Sequence, residues 1–270
     1  MLSPARFREL HCPGDPLLLP NAWDLASALT LAAHGAEVVG TTSLGVAVAA
    51  GEPDGAGATL APTIELAHRI TAAGIAVTVD LEAGFSDDPV AVGDVVAELA
   101  RAGIVGVNLE DSTAQGLTEP VAFARKLTAV AAAAPELYLN ARTDAFWVGA
   151  LDGIGARTSA SLERARRYLD AGATGVFVPG TLDDGTIATL ASGITAPLNV
   201  LAQPGRAIGD LAALGVARIS TGSLLFRASL AAITAVLDDV RLGAPPGTTA
   251  RSIPDYSAAV ALGVRRPSPG

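Results

Sequence analysis

Positive charge is scarce in this chain: 18 Lys and Arg stand against 27 Asp and Glu, a formal net charge of −9. No basic run or stripe offsets that balance, which argues against a nucleic-acid partner. A single cysteine, Cys12, excludes an internal disulfide framework and a thiolate metal cluster, and its place before the first strand reads as an incidental buried thiol. The three histidines, His11, His34 and His68, fall in helical or terminal segments. They leave no histidine ligand set and no Ser-His dyad. Aromatics are few, so platforms for sugar rings are not expected, and Trp23 and Trp147 read as packing for the ends of the fold. Although half the residues are hydrophobic, no stretch of about 18 runs free of charge, His, Pro or several Gly, so no membrane span is expected. The opening "MLSPARFRELHCPGDP" lacks the apolar core of a signal peptide. A soluble, cytoplasmic protein is the expectation.

What the chain does have is one device, repeated. "AAHGAEVVGTTS", "TAAGIAVTVDLEAG", "RAGIVGVNLEDS", "DAGATGVFVPG" and "AALGVARISTG" each run from an alanine-rich helical tail through a glycine into a short β-branched run. Gly35, Gly74, Gly103, Gly172 and Gly215 suit the left-handed position that stops a helix. Further strands fit "PLLLPNAWD", "LYLNARTDAF" and "PLNVLAQPG", which makes eight. Helices fit between them, with Pro62, Pro89 and Pro120 where a first turn tolerates proline. Alternating strands and helices point to a parallel sheet, and eight units in about 250 residues match a (β/α)8 TIM-type barrel. An open doubly wound sheet is the alternative, but no G-x-G-x-x-G follows the first strand. The chain reads as one domain, residues 1–270, whose Pro- and Gly-rich end, 243–270, is an extension wrapping the barrel or a partner subunit.

Barrel enzymes build their sites at the carboxyl ends of the strands. Here the first five ends hold most of the ionisable groups: Asn21 and Asp24; Thr41, Thr42 and Ser43; Asp80 and Glu82; Asn108, Glu110 and Asp111; Asn140, Arg142 and Asp144. The later ends offer Pro179, Asn199, Gln203, Thr221 and Ser223. Residues two apart in a strand share a face, so Asp80 with Glu82, Asn108 with Glu110, and Asn140 with Arg142 and Asp144 can all point inward. Asp80, Glu82 and Glu110 would then form a cluster of hard oxygen donors suited to Mg²⁺ or Mn²⁺. The alternative is a salt-bridge network closing the barrel top, with Arg142 as partner. Arg142 itself is either a clamp for a substrate carboxylate or phosphate or a structural ion pair with Asp144 or Glu110. Asp54, in "GEPDG", reads on its own as a turn residue.

The motifs "TTSLG", "GEPDG", "DLEAGF", "GVNLEDS", "NARTDAF", "GVFVPG" and "PLNVL", in that order, resemble the isocitrate lyase/phosphoenolpyruvate mutase superfamily, and within it the phosphoenolpyruvate mutase-like branch. The likeness runs from about Leu18 to Ala228. It implies a (β/α)8 barrel with a C-terminal helical extension exchanged between the subunits of a homodimer or homotetramer. It also implies Mg²⁺ held, directly or through water, by Asp80, Glu82 and Glu110. Ser43, Leu44 and Gly45 would hold a substrate carboxylate through backbone N–H groups, with Asp80 and Asn199 also contacting substrate. Arg142 would stabilise the reacting end, and Asp54 matches the gating-loop aspartate in a loop one residue shorter. Glu82 stands where the characterised branches more often carry Asp.

The departures narrow the activity. Isocitrate and methylisocitrate lyases carry Lys-[Lys/Arg]-Cys-Gly-His after the strand bearing Glu110, and this chain reads "STAQGLTEP" there. The Lys and Asn of the mutase and phosphonopyruvate hydrolase loops are absent from it too, and Pro179 replaces the mutase's His. The resemblance therefore implies a Mg²⁺-dependent carbon–carbon lyase or decarboxylase acting on a small 2-oxo or 2-hydroxy dicarboxylate through a metal-bound enolate. The alternatives are P–C bond chemistry of the phosphonomutase or phosphonopyruvate hydrolase kind, and a catalytically silent barrel that binds oxo acids.

Overall fold

A computed structural model describes residues 2–245 and 253–263. All eight expected strands are present: Leu17–Leu19 resuming as Asn21–Ala22, then Val38–Thr41, Ala76–Asp80, Gly106–Glu110, Tyr138–Arg142, Gly175–Phe177, Leu198–Leu201 and Arg218–Ser220. Every pairing among them is parallel. The barrel closes through its first strand, which changes partner at Pro20. Leu17–Leu19 pair with the eighth strand, whereas Asn21 and Ala22 pair with Gly40 and Thr41 of the second. Pro20 has no N–H to offer either ladder, but its carbonyl accepts from Gly40 N at 2.9 Å.

The five glycines that follow the helical tails all have positive φ, from +78° at Gly74 to +104° at Gly172. Each lets the chain leave a helix and enter the next strand within a few residues. Helix Pro89–Arg101 shows how the outer layer forms. Asp88 accepts from Val90 N at 3.0 Å, Pro89 occupies the first turn, and Val92, Val96 and Leu99 fall on one buried face. They pack with Val77, Val79, Val107 and Leu109 of the strands. Truncating a wholly buried side chain such as Leu99 to alanine costs about 2–5 kcal/mol. A second apolar cluster lies around Val176, Val178, Leu198, Val200 and Ile219.

The inside of the barrel is polar. Asn108 Oδ1 accepts from Asn140 Nδ2 at 3.0 Å and from Arg218 Nη2 at 3.3 Å. Ser220 Oγ accepts from Arg218 Nε and donates to Asn199 Oδ1, both at 3.1 Å. The amino-terminal end is plugged by Phe7 and by His11, which stacks on Tyr138 at 4.0 Å.

Outside the barrel one expectation changes. Cys12 is exposed, because it lies in the turn after helix Pro4–Glu9, with Sγ 3.3 Å from Glu9 O. Trp23 does pack the barrel end, against Phe226 and the backbone of Gly45. The extension contains helix Tyr256–Gly263, and Leu262 packs against the main core; residues 246–252 and 264–270 of it lie outside the described residues. Among the described residues no helix is long and apolar enough to cross a membrane.

Candidate active site

A cavity of about 280 Å³ opens at the carboxyl ends of the strands. Asp80 ends the third strand, Glu110 the fourth and Arg142 the fifth, and all three line it. Register explains the convergence. Asp80 pairs with Asn108, Asn108 with Asn140, and Glu110 with Arg142, so the inward parity inferred from the sequence holds to the last residue of each strand.

Arg142 is the hub. Its Nη1 meets Glu110 Oε2 at 2.7 Å, while Nε and Nη2 grip Asp144 Oδ1 and Oδ2 at 2.6 and 3.0 Å. Asp144 is fully buried, accepts from Ser112 Oγ at 2.5 Å, and donates its backbone N–H to Asp111 Oδ1 at 2.8 Å. Asp111 in turn receives Arg164 Nη1 at 2.8 Å and Tyr168 Oη at 2.7 Å. Asp111, a candidate by position, is thus a strut behind the site. The ion pair weighed as a structural alternative for Arg142 is present, and Arg142 nevertheless reaches the cavity with two N–H groups uncommitted. The rings of Trp147 and Phe177 sit 5.8 and 5.7 Å from its guanidinium carbon. Trp147 is therefore a wall of the cavity and does not merely pack a barrel end.

Electrostatics follow from Arg142 facing several buried acids. Burial raises Asp80, and the charge of Arg142 with the Ser43 N–H works against it. Burial pushes Glu110 up to about 8 despite Arg142. For Arg142, burial favours the neutral form, but Glu110, Asp144 and Asp80 prevail and hold its pKa above the usual value. Asp80 Oδ2 accepts from Ser43 N at 3.1 Å, and Glu110 meets Arg142 through Oε2. Asp80 and Glu110 offer hard carboxylate oxygens of the kind that fit a divalent cation.

The other expected residues divide. Ser43, Leu44 and Asp54 line the cavity. Ser43 begins helix Ser43–Ala50, which places its N–H at the positive end of the helix. Gly45 is the third residue of that helix and is not among the cavity's lining residues; a Cβ there would stand 2.6 Å from Trp23 Cβ. Asn199 is buried inside the barrel on Ser220 and does not line the cavity. Glu82 does not join Asp80, because the strand stops at Asp80 and Glu82 adopts a φ of +49°. Its carboxylate receives Thr59 Oγ1 and Gly57 N, and it faces a neighbouring cavity of about 330 Å³. Among the described residues, accordingly, no three Asp, Glu, His or Cys side chains gather around one point as direct metal ligands. Asp144's grip on Arg142 was foreseeable from its spacing; Ser112, Thr59 and Arg164 carried no local signal.

Fold and site together define a parallel (β/α)8-barrel enzyme with an acid-rich site at the carboxyl ends of its strands. The chain belongs to the phosphoenolpyruvate phosphomutase family, whose model matches residues 7–241, within the isocitrate lyase/phosphoenolpyruvate mutase superfamily of lyases and mutases. An uncharacterised protein of Mycobacterium tuberculosis (strain H37Rv) is 46% identical over 224 residues, 83% of this chain and 84% of that one. Oxaloacetate decarboxylase of Pseudomonas fluorescens is 31% identical over 256 residues, 87% of this chain and 82% of that protein. A provisionally assigned phosphonomutase of Burkholderia cenocepacia J2315, solved as a crystal structure, is 37% identical with a TM-score of 0.83, covering 87% of this chain and 99% of the other.

Proposed function

We propose that this enzyme is a divalent-metal-dependent lyase or decarboxylase of a small 2-oxo or 2-hydroxy dicarboxylate. One observation carries the reading: Asp80, Glu110 and Arg142 line one cavity of about 280 Å³, with Glu110 paired to Arg142 at 2.7 Å, so a chelated cation and a guanidinium would both reach one small anion. Asp80 and Glu110 would hold Mg²⁺, or Mn²⁺, directly or through water. The cation would polarise the substrate's oxo and carboxylate oxygens and stabilise the negative charge that develops when a bond to the adjacent carbon breaks.

The remaining work falls to the chain. Arg142, oriented by Asp144, offers its free N–H groups to the same developing charge. The N-terminus of helix Ser43–Ala50 receives a carboxylate at Ser43 and Leu44. Asp54, which lines the cavity from the loop at its mouth, would help exclude water. Among the described residues no Lys, His or Cys lines the cavity, which matches the absence of such a residue from "STAQGLTEP". Decarboxylation needs little acid help beyond a sink for the electron pair left behind by carbon dioxide, so it is the favoured branch, and the likeness to oxaloacetate decarboxylase supports it. The likeness to the Burkholderia phosphonomutase supports a second reading, P–C chemistry on a phosphonate.

We also read the enzyme as a single-domain subunit that pairs with copies of itself by exchanging its C-terminal helices. In support, helix Leu224–Arg241 leaves Leu230, Ile233, Leu237 and Val240 exposed at a spacing of three and four residues. The reaction is tested by following oxaloacetate loss and pyruvate appearance with Mg²⁺ and then with EDTA, across small dicarboxylates and phosphonates. Metal-dependent release of pyruvate from oxaloacetate supports the first reading, and turnover confined to phosphonates replaces it with the second. A silent panel with Mg²⁺-dependent oxalate binding would leave a binding protein.

A further inference from the structure

Glu82 carries more constraint than a metal ligand at a strand end needs. It is a non-glycine residue at φ +49°, a strained conformation that persists only where the surroundings impose it. Three contacts impose it here. The Glu82 carbonyl accepts from Glu110 N at 2.9 Å, Lys126 Nζ donates to Ala83 O at 2.9 Å, and Gly84 N donates to Leu81 O at 2.8 Å. Lys126 is itself buried, on helix Pro120–Ala133, so this anchor comes from beneath the turn.

The twist takes the Glu82 carboxylate out of the main cavity and into a pocket where both oxygens are taken. Thr59 Oγ1 donates to Oε1, and Gly57 N donates to Oε2 at 3.3 Å. Both donors belong to the loop between Gly51, which ends helix Ser43–Ala50, and Leu60, which starts the next helix. Gly51 through Ala58 are exposed without a break, so little packing holds that loop; Thr59 and Glu82 are both buried. Asp54 sits within it, on the wall of the main cavity.

We propose that Glu82 is a positioning residue, the latch that fixes the 51–59 loop and with it Asp54 at the mouth of the active site, and that it is not a ligand of the metal. The contrast with ligation rests on the reading that Asp80 holds the cation; the latch itself does not. A hydrogen bond to a carboxylate is stronger than one between neutral groups, so losing it is enough to loosen a loop with so little other support.

The test uses the full chain, with Thr59→Val and Glu82→Gln compared with Asp80→Ala. In metal-free protein, amide hydrogen exchange at Gly57, whose N–H Glu82 accepts, should quicken by about tenfold or more in the first two variants, with exchange in the barrel strands unchanged. The double variant should add little to either single one. Mn²⁺ titration followed by electron paramagnetic resonance should give affinities within about threefold of wild type for both, whereas Asp80→Ala should lose binding. Loss of Mn²⁺ in Glu82→Gln with unaltered loop exchange overturns the proposal and makes Glu82 a ligand. If Asp80→Ala still binds Mn²⁺, the metal assignment fails, and loop exchange alone still decides the latch. Should Glu82→Gln not fold, Thr59→Val, which removes no carboxylate, carries both measurements.

Discussion

Glu110 and Arg142 are register partners on adjacent strands, and their side chains meet at 2.7 Å above that pairing. Because Asp144 grips the other edge of the guanidinium, Arg142 is held on two sides and can direct its remaining donors inward. Lysine offers a point charge in place of a planar fork and cannot satisfy both acids in this geometry. Arg142→Lys should therefore lower turnover by about 10²-fold, in the range for losing a preorganised donor, while Mn²⁺ affinity moves by less than about threefold. Steady-state kinetics beside a metal titration decide it: the reverse pattern would make Arg142 structural.

Asp80 should behave in the opposite way. Its carboxylate is raised by burial, and only Arg142 and the Ser43 N–H offset that strongly. Removing it relieves an unfavourable buried charge, so Asp80→Ala should abolish metal binding and turnover while the thermal midpoint of the metal-free protein holds or rises. A midpoint that falls by several degrees, with metal binding retained, would assign Asp80 to the scaffold.

The eight strands were legible because each repeat advertises its own boundaries: a left-handed glycine, a β-branched run, then a polar end. Gly103 and the segment after it illustrate this, since φ +90° at Gly103 leads within three residues into Gly106–Glu110. Asp80, Glu110 and Arg142 were legible for the same reason, as strand parity extends to the last paired residue. Glu82 was not. Parity holds only while the strand lasts, and nothing local in "DLEAGF" says that the ladder stops at Asp80 and the backbone then turns left-handed. That turn depends on Lys126, 43 residues further along, and Arg164 supports Asp111 from 53 residues away. Partners at such separations are set by tertiary packing, and a sequence read by local period does not contain them.

The strut behind the site makes its own prediction. Arg164 is the cation that meets the fully buried Asp111, whose Oδ1 in turn fixes the backbone of Asp144. Breaking a buried pair from one side leaves a charge without a counterpart, at about 3 kcal/mol or more. Arg164→Met should lower the urea midpoint by a corresponding amount and reduce turnover through the displaced Asp144. Replacing Asp111 by Asn in the same background should recover part of the stability, because the stranded charge is gone. No recovery would mean that packing, and not charge, is what Arg164 supplies.

The unpartnered stripe on helix Leu224–Arg241 can be tested without any substrate. Ile233 is 63% exposed with Leu230 and Leu237 beside it, which is unfavourable for a lone subunit in water. Sedimentation should give a dimer or tetramer for the wild type, and Ile233→Glu with Leu237→Glu should shift it towards monomer. A monomeric wild type would leave the stripe without this explanation.

A pH dependence of stability should arise far from the cavity, at His11. Burial first, and then the charge of Arg218, lower its pKa from 6.5 to about 3, while Nδ1 lies 2.8 Å from Phe7 O and the ring lies flat on Tyr138. Unfolded His11 takes up its proton near pH 6.5 and folded His11 only near 3. Between those values the unfolded chain binds more protons, so this residue's contribution weakens as the pH falls below 6.5 and is unchanged above it. At 1.36 kcal/mol per pH unit, the loss from pH 6.5 to 5 is about 2 kcal/mol. Glu110 has the opposite sign: its folded form keeps a proton up to about pH 8, so its contribution favours the fold at low pH and declines as the pH rises from 4.5. The two must be separated by difference. Urea unfolding of wild type and His11→Phe, which keeps an aromatic ring on Tyr138 but cannot titrate, should show the wild type losing about 2 kcal/mol relative to the variant over that interval. A gap between the two that stays constant with pH would mean that His11 is protonated in the fold, beside Arg218, and that the stack on Tyr138 holds a cation.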